Sequence, residues 1–411
     1  MKKILLSAYA CSPYKGSEWS VGWSWAAGLA QKGFQVWCLT NVEDMADCEA
    51  EKQNLNYANL NFVPVPLSFG MDKRLLDNSS KTIYLHYYLW KRKASKVAQT
   101  LHEKHKFDIA QHVSYGSFQQ GSPLYRLEDC KIIFGPVGGG QMALPIFKPY
   151  FGASWRTEVI RKYMSQFLMK YNTSLNETLK RADVILTVNQ ETEMLLKTSK
   201  YYTEGRDYPL SDSALPKQFL DMPYIKRAEA KHLRLLWIGR FLPRRGLELT
   251  FRALSYLPKD LPYELTIVGD GEQKKFIKGW MEAYDIPDSK IKLLGWVPYK
   301  EIHGIYEQAD VMLFCPLRDT AGLQATEAMA FGLPVITMNI SGMRTIVPPG
   351  CGIKINPTTT EGTAEDIAKA IEKMYQEPDF RKKASQEAYK TAMSYTWESK
   401  IEEMTRRFYK N

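Results

Sequence analysis

Residues 311–338 read VMLFCPLRDTAGLQATEAMAFGLPVITM. Val311–Phe314 is a short apolar run of strand length. A polar loop, Arg318 to Gly322, follows it. Leu323–Phe331 then has helical composition, and Gly332 and Pro334 stop it. Val335–Met338 is a second apolar run. Neither strand alternates polar with apolar residues, so both faces of the sheet must be covered. This is the pattern of a parallel βαβ unit.

The same alternation extends in both directions. Leu235–Ile238, Leu265–Val268 and Ile291–Leu294 precede it, each separated from the next by a helix-length segment. Together these runs predict a doubly wound α/β domain. Further upstream, Ile4–Ala8, Val36–Thr40, Phe62–Leu67, Ile109–Ser114, Ile132–Val137 and Asp183–Asn189 read as strands. Trp19–Gln31 reads as a helix with Val21, Trp25, Gly28 and Leu29 on one face, and Ser79–His105 as a long helix. Residues 201–232 contain Gly205, Pro209, Pro216 and Pro223 and lose the pattern. The expected organisation is therefore a domain over 1–214, a linker over 215–232 and a second domain over 233–394. The tail from Glu365 to Tyr409 is expected to be helical with a break near Pro378. Its last part, 395–411, lies beyond the second domain.

Composition supports this reading. The chain has 411 residues, 45% hydrophobic and 24% charged, which excludes a disordered or low-complexity protein. Six scattered cysteines form no CxxC pair, so reduced thiols are expected rather than disulfides or a zinc site. No apolar run approaches the roughly 20 residues of a membrane span. The start, MKKILLSAYA, imitates a secretory signal but reads better as a buried first strand. The net charge is +10, and it is lopsided. Residues 1–200 carry 25 Lys or Arg against 17 Asp or Glu, and residues 201–411 carry 30 against 28. Between Ser79 and Lys106 there are seven basic residues and one Glu, interleaved with Tyr84, Leu85, Tyr87, Tyr88 and Trp90. Phe147, Tyr150, Phe151 and Trp155 lie near Lys148 and Arg156. Basic residues beside aromatics suit an anionic membrane surface or an acidic glycan, and equally a solvated helix over an aromatic core.

Five features bear on chemistry. In a parallel sheet, ligands collect at the carboxyl ends of strands. There lies the loop Cys11–Trp19, with Gly16 and an N-cap candidate at Ser17. GPVGGG, residues 135–140, follows a strand and includes Gly139. His112 ends Ile109–Ser114, as either a core histidine or a ligand contact. Gly239-Arg240-x4-Arg245-Gly246 puts two arginines before a helix, where their planar forks match phosphate oxygens; Arg244 leaves a plain basic turn open as an alternative. Glu327 is the one charge in AGLQATEAMAFGLPVIT, 321–337. A carboxylate there needs donors if buried, which a polyhydroxyl ligand would supply, and needs none if it faces solvent.

In this order the motifs resemble family 4 of the retaining glycosyltransferases. The segments are the Gly16 loop, His112, GPVGGG, Gly239-Arg240-x4-Arg245-Gly246, Val268-Gly269-Asp270-Gly271, and Asp319-x7-Glu327 followed by Ala328-Met329-Ala330-x-Gly332-x-Pro334-Val335. The resemblance covers essentially the whole chain. It implies the GT-B fold: two Rossmann-like domains facing across a cleft, with a C-terminal helix packing back on the first. It also implies transfer of a sugar from a nucleotide diphosphate sugar, UDP-, GDP- or ADP-linked, to an acceptor hydroxyl with retention of configuration. By position, Arg240 and Arg245 would grip the diphosphate and Glu327 the ribose. Asp319, with the backbone of Thr320, Ala321, Gly322 and Leu323, would hold the sugar and distal phosphate. His112 would contact the transferred sugar, and the turn at Trp296 and Val297 would flank the base.

Two departures stand out: the family usually has Glu at 319 and Lys at 245. No DxD motif is present, so neither metal nor cofactor is expected. The expected acceptor is a glycan or lipid-linked molecule in cell-surface glycan synthesis. The expected location is cytoplasmic, in peripheral contact with the inner face of the membrane. The shortened Asp319 motivates an alternative, a catalytically weak nucleotide-sugar or glycan binder. A nicotinamide-dependent oxidoreductase is disfavoured, because GxGxxG and an acidic residue closing a first βαβ unit are both absent. Nucleic acid would rest on charge alone and is not an expected partner.

Overall fold

The computed structural model describes residues 1–16, 18–76, 82–220, 222–227 and 231–410. The N-cap assigned to Ser17 and the helix start assigned to residues 79–81 lie outside the described residues. The chain divides into two compact units. One comprises Met1–Gly140, Tyr163–Ser213 and Trp397–Asn411; the other comprises Gln141–Lys162 and Ala214–Thr396.

The first unit is built on seven parallel strands. They are β1 (Lys3–Ala8), β2 (Gln35–Thr40), β3 (Leu60–Pro64), β4 (Ile109–Ser114), β5 (Lys131–Val137), β6 (Val184–Thr187) and β7 (Asp207–Pro209). Their order is β3-β2-β1-β4-β5-β6-β7. The second unit has six: β8 (Leu233–Ile238), β9 (Tyr263–Val268), β10 (Ile291–Gly295), β11 (Val311–Leu313), β12 (Val335–Met338) and β13 (Gly352–Ile355), in the order β10-β9-β8-β11-β12-β13. Both sheets are wound in both directions from their first strand. β1 lies between β2 and β4, and β8 between β9 and β11. At such a reversal, adjacent loops leave in opposite directions and open a crevice at the carboxyl ends of the strands. Apolar strands and helix faces fill both interiors, among them Trp25, Trp90 and Phe134 in the first unit and Trp237, Phe251 and Phe314 in the second.

Several expectations are corrected. Residues 141–162 belong to the second unit, because Phe147, Tyr150 and Phe151 are buried in its core. Those aromatics therefore offer nothing to a membrane. The segment read as a linker over 215–232 begins inside the same core, through Leu215 and Phe219. β7 and β13 were not foreseen. The tail begins earlier, as a helix over Thr360–Gln376, followed by Pro378–Ser394 and Trp397–Met404. The last of these returns to the first unit, where Trp397 meets Trp25 edge-on at 6.0 Å. All six cysteines are buried free thiols. No helix among the described residues is long and apolar enough to cross a membrane.

Candidate functional site

The second unit's reversal point joins two loops, one after β8 and one after β11. The β8 loop carries Arg240, Arg244 and Arg245 and then turns into the helix Leu247–Leu254 at Gly246. Gly246 has φ +73°, and a Cβ there would sit 2.2 Å from the Cys315 carbonyl oxygen. The close approach to the β11 loop thus requires glycine. Leu317 N donates to the Arg244 carbonyl at 2.9 Å and ties the loops together.

The β11 loop carries Arg318 and Asp319. Arg245 pairs with Asp319, and Arg244 lies 3.9 Å from the same carboxylate. Arg318 pairs with Glu158 at 2.8 Å. Four guanidiniums, those of residues 240, 244, 245 and 318, thus meet two carboxylates and leave an excess of positive charge. Burial, with repulsion from Arg245, Arg318 and Arg240, pulls the Arg244 pKa down to about 10, while Asp319 opposes the shift. Arg240 is exposed and takes no ion-pair partner among the described residues. Asp319 Oδ1 also accepts from Thr320 N at 2.8 Å, and Thr320 Oγ1 accepts from Gln141 at 2.7 Å. Ala321 is buried. Gly322, at φ +74°, precedes the helix Leu323–Ala330, a conformation that a side chain would strain.

Glu327 sits on that helix with 5% of its surface exposed, so it does not face solvent. Its donors come from the protein itself. The Tyr299 hydroxyl donates to Oε1 at 2.7 Å and the Tyr306 hydroxyl to Oε2 at 3.0 Å. The sequence reading looks to a polyhydroxyl ligand for donors, and two of them are tyrosines of this chain. Burial raises the Glu327 pKa to about 7, against the lowering effect of the two phenols. Each oxygen keeps one lone-pair direction for a further donor. Val297 packs on the core two residues before Tyr299, while Trp296 is 72% exposed.

The first unit's reversal point is different in kind. His112 lies opposite Ser7 in the β1–β4 pairing and is wholly buried. Neither ring nitrogen makes a hydrogen bond of normal geometry. Burial pushes its pKa down to about 4, with the Tyr115 backbone opposing and Lys91 adding to the shift. Gly16 is exposed in the β1 loop. Two residues on, Glu18 Oε2 accepts from Tyr115 N at 2.8 Å and so joins that loop to the β4 loop. Burial, assisted by Asp212, raises the Glu18 pKa to about 7, while the Tyr115 and Gly116 backbone amides oppose it. The GPVGGG turn is bonded to the same loop: Gly138 N donates to the Gly116 carbonyl at 2.7 Å. Gly140 N donates to Thr192 Oγ1 at 3.0 Å, and Gly139 lies between them.

Sequence reasoning missed Arg244 as a member of the cluster, the Arg318–Glu158 pair, the two tyrosines and Glu18. The tyrosines had a faint signal, since positions seven apart share a helix face. The Glu158 contact had none, because its segment was assigned to the other domain.

This geometry can be set beside known proteins. Residues 224–391 match the family model described as Glycosyl transferases group 1. The matched segment lies within the second unit. It spans both switch-point loops of the second unit and Glu327. An uncharacterized glycosyltransferase of Haemophilus influenzae is 28% identical over 227 residues, 54% of this chain and 60% of that protein. The O-antigen chain mannosyltransferase B of Escherichia coli is 23% identical over 240 residues, 55% of this chain and 60% of that protein. The chain thus spans about 60% of the length of these two relatives. Among solved structures, a sucrose-phosphate synthase from Thermosynechococcus elongatus superposes with a TM-score of 0.63 at 16% identity, covering 100% of this chain and 98% of that one. Anabaena Alr3699/HepE in complex with UDP gives 0.61 at 15% identity, covering 99% and 100%. Both sheets therefore have the GT-B architecture, and the match to the group 1 model falls in the second unit.

Proposed function

We propose that the protein is a retaining glycosyltransferase that moves a sugar from a nucleotide diphosphate sugar to an acceptor hydroxyl in polysaccharide or lipopolysaccharide synthesis. The observation that carries this reading is the arginine cluster at the β8 and β11 loop ends, whose positive charge two carboxylates leave in excess. A diphosphate is the complementary ligand. As the bond from the sugar to the β-phosphate breaks, negative charge grows on the leaving group. A guanidinium at about 4 Å supplies roughly 4 kcal/mol of gross attraction at an effective dielectric of about 20, part of which desolvation removes. Fixed positive charge aimed at the leaving group is electrostatic catalysis, and it requires no metal.

In this reading Arg240 and Arg244 bind the diphosphate first. Arg245 then shares its fork between phosphate and Asp319. Glu327 accepts the ribose hydroxyls on its remaining lone pairs, the turn at Val297 flanks the base, and the backbone of 320–323 faces the distal phosphate and the sugar. The resemblance assigns His112 to the transferred sugar. Its low pKa keeps the imidazole neutral at working pH, able to donate from one nitrogen and accept at the other. No nucleophile is assigned. Peripheral contact with an anionic membrane belongs to the same reading. Phe69, Tyr84 and Leu85 are 91%, 63% and 51% exposed, and the seven Lys or Arg between Ser79 and Lys106 supply the positive charge. Flotation with anionic liposomes at low salt is expected to carry the protein, and its absence would remove this partner.

The test of the function is release of nucleoside diphosphate from UDP-, GDP- and ADP-hexoses, followed by NMR of the product's anomeric coupling. One donor is expected to turn over with its configuration kept. No turnover with any donor, or an inverted product, would overturn the proposal.

A further inference from the structure

The helices Ile83–His105 and Thr173–Arg181, with the turn Phe118–Gln120, border a half-open cavity of about 920 Å³ within the first unit. The donor site makes no use of it. Lys91, Arg92, Lys93, Lys96 and Arg126 line it, and among the described residues no Asp or Glu does.

These five cations are not equivalent. Lys93 donates to the Pro66 carbonyl. Lys91 is 6% exposed and donates to the Gln120 carbonyl and, at 3.1 Å, to Ser174 Oγ, all neutral partners. Burial pulls its pKa down to about 8. A buried ammonium without a carboxylate is costly and favours an incoming anion. Arg92, Lys96 and Arg126 are exposed and turn cationic groups to the same space. Arg126 donates its Nε to the Tyr125 hydroxyl at 3.0 Å and lies over the Tyr125 ring at 5.5 Å.

The other wall is aromatic. Phe167 and Tyr171 are 56% and 57% exposed, with ring centroids 4.9 Å apart. Tyr88 is 45% exposed beside Arg92. Flat apolar faces next to donors suit sugar rings, whose C–H faces pack on aromatics while their edges carry polar groups.

We propose that this cavity binds an acidic oligosaccharide. Its carboxylate or phosphate groups meet Arg92, Lys96 and Arg126, and its ring faces meet Phe167 and Tyr171. The inference rests on the glycosyltransferase reading in one respect, that the ligand is a saccharide. A bilayer is too flat to fill a concave site of this size. Single-stranded nucleic acid shares the chemistry of cations beside aromatics, and its binding is one outcome of the test.

Calorimetry at low salt with four probes tests this: tetragalacturonate, uncharged maltotetraose, inorganic pyrophosphate and an octathymidylate. Tetragalacturonate is expected to bind about tenfold or more tighter than each of the others. The exposed double variant Arg92→Gln/Lys96→Gln is expected to weaken it about tenfold, and Phe167→Ala severalfold. Donor hydrolysis is expected to be unchanged in both. Equal affinity for maltotetraose, tighter binding of octathymidylate or pyrophosphate, or indifference to the double variant would overturn the proposal. Donor turnover absent in the wild type, with tetragalacturonate binding intact, would strike the enzymatic reading and leave this site standing.

Discussion

The two sheets share one winding plan, yet their reversal points carry opposite chemistry. In the second unit the loops after β8 and β11 gather four arginines, two of them neutralised by Asp319 and Glu158. In the first unit the corresponding strand end holds a buried imidazole kept neutral, and the first helix begins with a half-buried carboxyl held protonated to about pH 7. That unit's positive charge lies instead along the cavity lined by Arg92, Lys96 and Arg126. The topology fixes where a crevice opens, and the loops decide what it binds. Positive charge is thus concentrated at the β8 and β11 loops in one unit and dispersed along a cavity in the other.

The largest expected effect comes from the β8 and β11 loops. Arg240→Ala should lower the transfer rate by about 10²–10³, the range for removing one fixed charge-stabilising donor. Because Arg240 is exposed, its melting temperature should match the wild type. Steady-state kinetics beside thermal melts check both. Next comes His112→Ala, which should lower kcat by about 10- to 100-fold and leave the affinity for free nucleoside diphosphate unchanged. An equal loss in both would place His112 with the diphosphate instead.

Glu327→Gln should raise the donor KM by about tenfold, since a ribose acceptor loses its charge. Stability should move the other way. The Glu327 carboxyl titrates near 7 when folded against 4.5 ordinarily, so its ionisation costs stability progressively as pH rises from 4.5 to 7. Gln removes that cost. Above pH 7 the variant should be more stable by about 1–3 kcal/mol, and at pH 4 no more stable than the wild type. Denaturant melts at the two pH values check the sign. The smallest expected effect is that of excess chelator, which should leave turnover within about twofold if arginines alone carry the leaving-group charge. Complete, metal-reversible loss would break that assignment.

Much of this division was legible in the chain. Apolar runs such as Leu235–Ile238 and Val335–Met338 announce buried parallel strands because both of their faces must be covered. Arg240 and Arg245 were visible because a strand end and a helix start bracket them within a few residues. What stayed hidden was tertiary. The donors to Glu327 lie 28 and 21 residues away, and the Arg318 partner is 160 residues away in a segment that crosses to the other unit. β13, GIKI, has only two apolar side chains and is too short to signal itself, and β7 is only three residues. β10 was read as buried, yet Leu293 and Leu294 are 43% and 38% exposed because the strand closes an edge of its sheet.

The central claim is that donor diphosphate belongs to the β8 and β11 loops and not to the basic cavity of the first unit. Calorimetric titration of UDP, GDP and ADP into the wild type, Arg240→Ala and Arg92→Gln/Lys96→Gln tests it directly. The account predicts that one nucleotide binds the wild type, that Arg240→Ala weakens it about 10²-fold, and that the double variant binds it as the wild type does. Unchanged affinity in Arg240→Ala, or loss in the double variant, would contradict it.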